Sequence, residues 1–218
     1  MLKQLVIALS YLNSATLLIP VVIGIWFWNS LSVALRLSWW AILSYLLLFV
    51  TSFSIGLLAE RSNTLLFQYL ISGAFGSFFA AAYWFAVPTG WRKQLIAGLG
   101  VAGLAGLFFE AIVQAHYRET SLWSVPLETV LTTATVLLYL HYILRQTKIN
   151  LLQIPFFWIS IAHLISSVLG TIYDAFRPMM LASSLELYMV WLCFQLGITI
   201  FCNLLYGVGF YKTKNMSR

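Results

Sequence analysis

Few side chains in this sequence can do chemistry, and those few stand in apolar surroundings. Glu110 is flanked by Leu107, Phe108, Phe109, Ile112 and Val113. In a bilayer an ionisable group so placed is costly unless it is paired, wetted or protonated. Gln114 follows four residues later, and residues 106, 110 and 114 share about one face of a helix. A carboxyl and an amide on one face can hold a polar ligand, exchange a proton or join two helices. Glu128 follows Ser124 and Pro126. A serine cap, an early proline and an acid in the first turn describe a helix start as well as a binding group. His163 lies mid-run in Ser160-Ile-Ala-His163-Leu-Ile-Ser166-Ser167, where an imidazole either bridges helices or binds. Asn63 and Tyr69 add an amide and a phenol. Glu110, Gln114, Glu128, His163, Tyr69 and Asn63 are the candidate ligand-binding residues.

Other chemistries lack their residues. The sequence has no HExxH, no CxxC and no histidine pair at ligand spacing, so neither a metal nor another cofactor is expected. Cys193 and Cys202 both fall in the last apolar run and read as small packing residues rather than a disulfide. No nucleophile motif marks any of the serines, so no catalytic residue is assigned and the chain reads as a non-enzyme.

The elements that must position these groups follow from composition. Of 218 residues, 61% are hydrophobic and only 8% charged, against about 25% charged in a soluble domain. With a mean hydropathy of +0.91, the chain is an all-α integral membrane protein. Seven apolar runs each approach the ~20 residues that cross a hydrocarbon core: Leu5–Trp28, Leu37–Ala59, Thr64–Val87, Leu95–Ala115, Pro126–Leu144, Leu151–Tyr173 and Leu185–Tyr211. They make residues 1–218 a single seven-helix transmembrane domain with no soluble domain. The first run reads as a span, since no small-residue cleavage site follows it.

Charge sets the expected orientation. Arg36, Arg92, Lys93, Arg145, Lys148, Lys212, Lys214 and Arg218 fall on one side, and only Lys3, Arg61, Arg118 and Arg177 on the other. Glu60, Glu119, Asp174 and Glu186 accompany the second set. The positive-inside rule then places the N-terminus outside and the C-terminus in the cytoplasm of a bacterial inner membrane. The net charge of +6 is topology, so no nucleic-acid partner is expected. Tryptophans such as Trp26, Trp84 and Trp91 sit where interfacial anchors belong. Glu186, three residues after Ser183, has capping-box spacing.

Span four carries Gly98, Ala102 and Gly106 at four-residue spacing, beside Gly100 and Gly103. Such a ridge admits a neighbouring helix closely. Glu110, eight residues before Arg118, then lies about 12 Å along the helix from the outer interface. Most polar side chains cluster in the outer halves, which points to an outward-facing acidic cavity.

Two comparisons bear on function. Trp39-Trp40-Ala-Ile-Leu-Ser-Tyr45-Leu46 overlays Phe157-Trp158-Ile-Ser-Ile-Ala-His163-Leu164. That would relate spans two and six in a three-plus-one-plus-three plan, as in SWEET-type sugar transporters, whose proline–glutamine motif is missing. Retinal chemistry needs a lysine in the last span, and none lies between Leu185 and Tyr211. Asn63 with Tyr69, Glu128 followed by Tyr139, Pro155-Phe-Phe-Trp158, and Asn203-Leu-Leu-Tyr206-Gly207 are a different set. On these residues the chain resembles small bacterial seven-span membrane proteins often encoded near histidine kinases or response regulators. The resemblance implies a signalling role and a histidine kinase or other cytoplasmic partner. Three functions therefore stand as expectations. The leading one is a membrane sensor or receptor subunit that binds a small or lipophilic ligand in the outer half and signals inward. A small-solute transporter and an intramembrane lipid-modifying enzyme are the alternatives.

Overall fold

A computed structural model of the chain describes residues 2–58, 64–113, 124–146 and 150–215. Seven α-helices account for most of them: α1 (Leu2–Trp26), α2 (Val33–Leu58), α3 (Thr64–Ala86), α4 (Trp91–Val113), α5 (Ser124–Leu144), α6 (Pro155–Ser183) and α7 (Leu185–Tyr211). All seven are long and apolar enough to cross a membrane. The protein is therefore a multi-pass membrane protein in contact with the lipid bilayer.

The boundaries differ from the sequence reading where capping chemistry decides them. Helix α6 opens at Pro155, not Leu151, because proline suits the first helical turn and lacks the N–H an interior position needs. Residues Leu151–Gln153 form a 3-10 turn instead. Asn150 Oδ1 accepts from the Leu152 N–H at 3.2 Å, and Trp158 Nε1 donates to the Leu152 carbonyl at 3.0 Å. At its other end α6 continues past Tyr173 to Ser183. Ser184, not Ser183, caps α7: its hydroxyl accepts from the Leu187 N–H at 3.0 Å. Glu186 then lies in the first turn of α7, where a carboxylate complements the helix dipole.

Two compact units divide the chain. One joins Met1–Leu31 to Ile143–Arg218 and holds α1, α6 and α7; the other is Ser32–Tyr142, with α2 to α5. Consecutive three-helix halves are not the compact units, because α7 packs on α1 as well as on α6.

In the first unit, glycine and asparagine make the close contacts that replace a hydrophobic drive in lipid. A Cβ on Gly207 would stand 3.1 Å from Ile19 Cγ2, and one on Gly209 2.7 Å from Ile159 Cγ1. Asn203 Nδ2 donates to Asn13 Oδ1 at 3.1 Å and to Thr16 Oγ1 at 3.2 Å. Cys193 and Cys202 are free thiols.

In the second unit a run of rings links Tyr45, Phe75, Phe79, Tyr83 and Tyr139, with successive centroids 5.9, 4.7, 6.3 and 5.7 Å apart. Phe79 and Tyr83 are fully buried. Helix α4 meets α3 at Gly100, where a Cβ would lie 2.9 Å from Ala80 Cβ. Its buried positions are Ile96, Gly103, Leu107 and Glu110. Gly98 and Ala102 are exposed, and a Cβ on Gly98 meets nothing within 4 Å. The contact face is thus rotated from the expected ridge by about a third of a turn. Gly100→Leu should accordingly destabilise the protein in detergent by about 1–3 kcal/mol, while Gly98→Leu melts like wild type. Equal melting curves for the two variants would reverse this assignment of faces.

Candidate functional site

Helix α5 is rich in threonine, and each hydroxyl needs a partner where water is absent. Thr129, Thr133 and Thr135 bond back to the carbonyls of Val125, Thr129 and Leu131 at 2.8, 2.8 and 3.0 Å. That is the usual solution for threonine inside a helix. Thr132 differs: its hydroxyl donates to Glu128 Oε1 at 2.9 Å. The pair is four residues apart, so helical geometry alone stacks the two side chains.

Glu128 sits in a cleft walled by α3, α4 and α5. Gly76 and Ala80 line it from α3, Leu99, Gly100, Gly103 and Leu104 from α4, and Leu131, Thr132 and Thr135 from α5. The glycines make the space. A Cβ on Gly76 would collide with the Glu128 carboxylate, and one on Gly103 would touch Glu128 Cγ at 3.6 Å. What remains has room for about one water molecule. A carboxylate and a hydroxyl between apolar walls can hold a proton or one small polar group. The space is far below the ~300 Å³ at which drug-sized ligand pockets begin.

Glu110 makes a different contact. It is 1% exposed, and its Oε2 accepts from the Ser124 N–H at 2.6 Å. Ser124 opens α5, and the first N–H groups of a helix have no partner within it. A carboxylate there satisfies a donor and complements the dipole. Glu110 therefore clasps the end of α4 to the start of α5, at the level of a helix terminus rather than deep along a span. It does not line the cleft.

Of the remaining candidates, Tyr69 and His163 do not join Glu128 in the cleft. Tyr69, in α3, is partly exposed and is not among the cleft residues. His163 is 1% exposed within α6 and belongs to the first unit. Gln114 and Asn63 lie outside the described residues. Among the described residues, no three of His, Cys, Asp and Glu come together as metal ligands would.

Sequence reasoning missed Gly76, Ala80, Gly100, Thr132 and Thr135 as partners of Glu128. The Glu128–Thr132 spacing was a readable signal, and Gly76-Ser-Phe-Phe-Ala80 a weaker one. It also missed the clasp of Asn13, Thr16 and Asn203. No protein-family model matches this chain, and no curated protein or solved structure does either.

Proposed function

We propose that the chain is a non-catalytic sensor or receptor subunit of a bacterial inner membrane, with Glu128 as its sensing group. In this reading the N-terminus is outside and the C-terminus cytoplasmic, which puts the Glu128 end of α5 in the outer leaflet. One observation carries the proposal: a membrane-embedded carboxylate, bonded to Thr132, stands where three helices approach through glycine. Ionisable groups inside a membrane mark function more often than packing. Any change in what occupies so narrow a cleft alters the spacing of α3, α4 and α5, and each continues to the other leaflet. The occupant is a proton or a small polar species on the scale of a water molecule. The signal passes to a cytoplasmic partner, a histidine kinase being the kind implied by the sequence resemblance. Tyr69, Asn63 and Gln114 belong to the same outer half by position and are assigned as flanking contacts; His163 is assigned a supporting role in the first unit. The single-water scale of the cleft favours this reading over a solute transporter, which needs a path for its cargo.

The test is genetic. Transcripts are compared among wild type, a deletion strain and strains carrying Glu128→Gln or Gly76→Ala, with membrane levels of the protein measured alongside. A sensor predicts a defined transcript set altered in the deletion and in Glu128→Gln at normal protein level. Gly76→Ala, which pushes the carboxylate off Thr132, should shift the same set more weakly. A deletion strain with wild-type transcripts would remove the sensor reading. An altered deletion strain with a wild-type Glu128→Gln profile would remove Glu128 from it.

A further inference from the structure

The end of the second unit away from Glu110 carries cations that meet no carboxylate among the described residues. Gly90 turns the chain between α3 and α4 with φ +145°, and the N–H groups of Lys93 and Gln94 return to its carbonyl at 3.1 and 3.4 Å. Arg92 and Lys93 thus fall in the first turn of α4, which contains no acid. That is the positive end of the helix dipole, where a cation is destabilising and an anion is favoured. Two cations at such a place oppose the fold unless something negative joins them.

The described residues do not supply it. No carboxylate occurs between Glu60 and Glu110. Glu110 is about 27 Å up the helix from Arg92 at ~1.5 Å per residue. Glu128, beside Gly103, is about 16 Å up by the same measure. Among the described residues Arg92 Nε is buried without a hydrogen-bond partner. The cations are nonetheless held in place. The Arg92 guanidinium lies 4.9 Å from the Trp91 ring centroid, and Lys93 Nζ lies 3.8 Å from that of Trp84. Trp84, Phe85 and Trp91 are exposed, and indole rings settle at headgroup depth.

We infer that the α3–α4 turn binds the phosphate of an anionic phospholipid headgroup through Arg92 and Lys93. The lipid phosphate is the anion present at that depth, and a guanidinium fork matches its geometry. A zwitterionic headgroup brings its own cation to the same place and gains less. The inference requires only that these helices span a bilayer, and is independent of the role given to Glu128.

The full chain, purified in dodecylmaltoside, is melted with added phosphatidylglycerol, with phosphatidylcholine at equal mole fraction, and with inorganic phosphate. Native mass spectrometry counts the lipids retained. Phosphatidylglycerol should raise Tm and stay bound, and the other two should do neither. The Arg92→Gln/Lys93→Gln double variant should lose about 30-fold in apparent phosphatidylglycerol affinity, and Lys93→Gln alone about fivefold. The single variant and the wild-type lipid comparison decide the matter if the double variant cannot be purified. Equal effects of phosphatidylcholine, or wild-type binding by the variants, would overturn the site. An equal effect of inorganic phosphate, lost in the variants, would overturn the lipid assignment in favour of a free anion.

Discussion

Gly209→Leu should leave almost no protein that survives solubilisation and mild heating. A Cβ at this position would lie 2.7 Å from Ile159 Cγ1 and 3.1 Å from the Pro155 carbonyl oxygen. A side chain can sometimes swing aside, but a carbonyl moves only with its helix. Pro155 opens α6 and is backed by the 3-10 turn that Trp158 pins to Leu152. Overpacking costs about 1–3 kcal/mol where neighbours relax, and here one of the close neighbours is backbone. Gly197→Leu, on the same helix, is the control, since a Cβ there meets nothing within 4 Å. Fluorescence-detected gel filtration before and after heating should show loss of the monodisperse peak for Gly209→Leu alone. Similar recovery of both variants would refute the α6–α7 packing.

Glu110→Ala should be the most damaging change among the polar candidates, and its comparison with Glu110→Gln identifies the role. Alanine removes the acceptor of the buried Ser124 N–H, at about 1–3 kcal/mol. Glutamine keeps an oxygen in reach and loses only the charge at the helix terminus, worth about 0.3–1 kcal/mol at exposed sites and up to ~2 where partly buried. Melting temperatures should therefore fall in the order wild type, Gln, Ala. A group needed for its negative charge would instead make Gln and Ala alike. That outcome would return Glu110 to the ligand site and end the clasp.

How far the sequence could be read depended on whether the information was local. Span number and position are local, since a bilayer demands a run of ~20 apolar residues whatever the neighbours; the helices fall within about four residues of the expected runs, except that α6 runs on past Tyr173 to Ser183. The α6 start and the α7 cap shifted because Pro155 and Ser184 impose their own geometry. The binding face of α4 was not local. Small residues at four-residue spacing identify a surface, but Ala80 and Glu128 determined which surface was used. Glu128 read as the start of a helix because Ser124 and Pro126 precede it. Its partner Thr132 was within reach of a spacing argument, whereas Gly76, on another helix, was not. Glu110 was placed by distance along its own helix, whereas the donor it meets, at the start of α5, lies 14 residues further along the chain.

The pairing of α1 with α7 has a consequence for how the protein is made. Asn203 reaches Asn13 across 190 residues of chain. At a synthesis rate of about 5–20 residues per second, that separation lasts roughly 10–40 s. During this wait α1 has left the ribosome, entered the bilayer and carries an amide whose mate has not yet been translated. An unsatisfied polar group in hydrocarbon attracts any available partner, so the first helix is open to mispairing throughout the interval. Ribosome stalling before α7 prolongs the exposure, and a chain released at that point keeps it permanently. The arrival of the last span is therefore the step that closes the first unit and ends the exposure of its first helix.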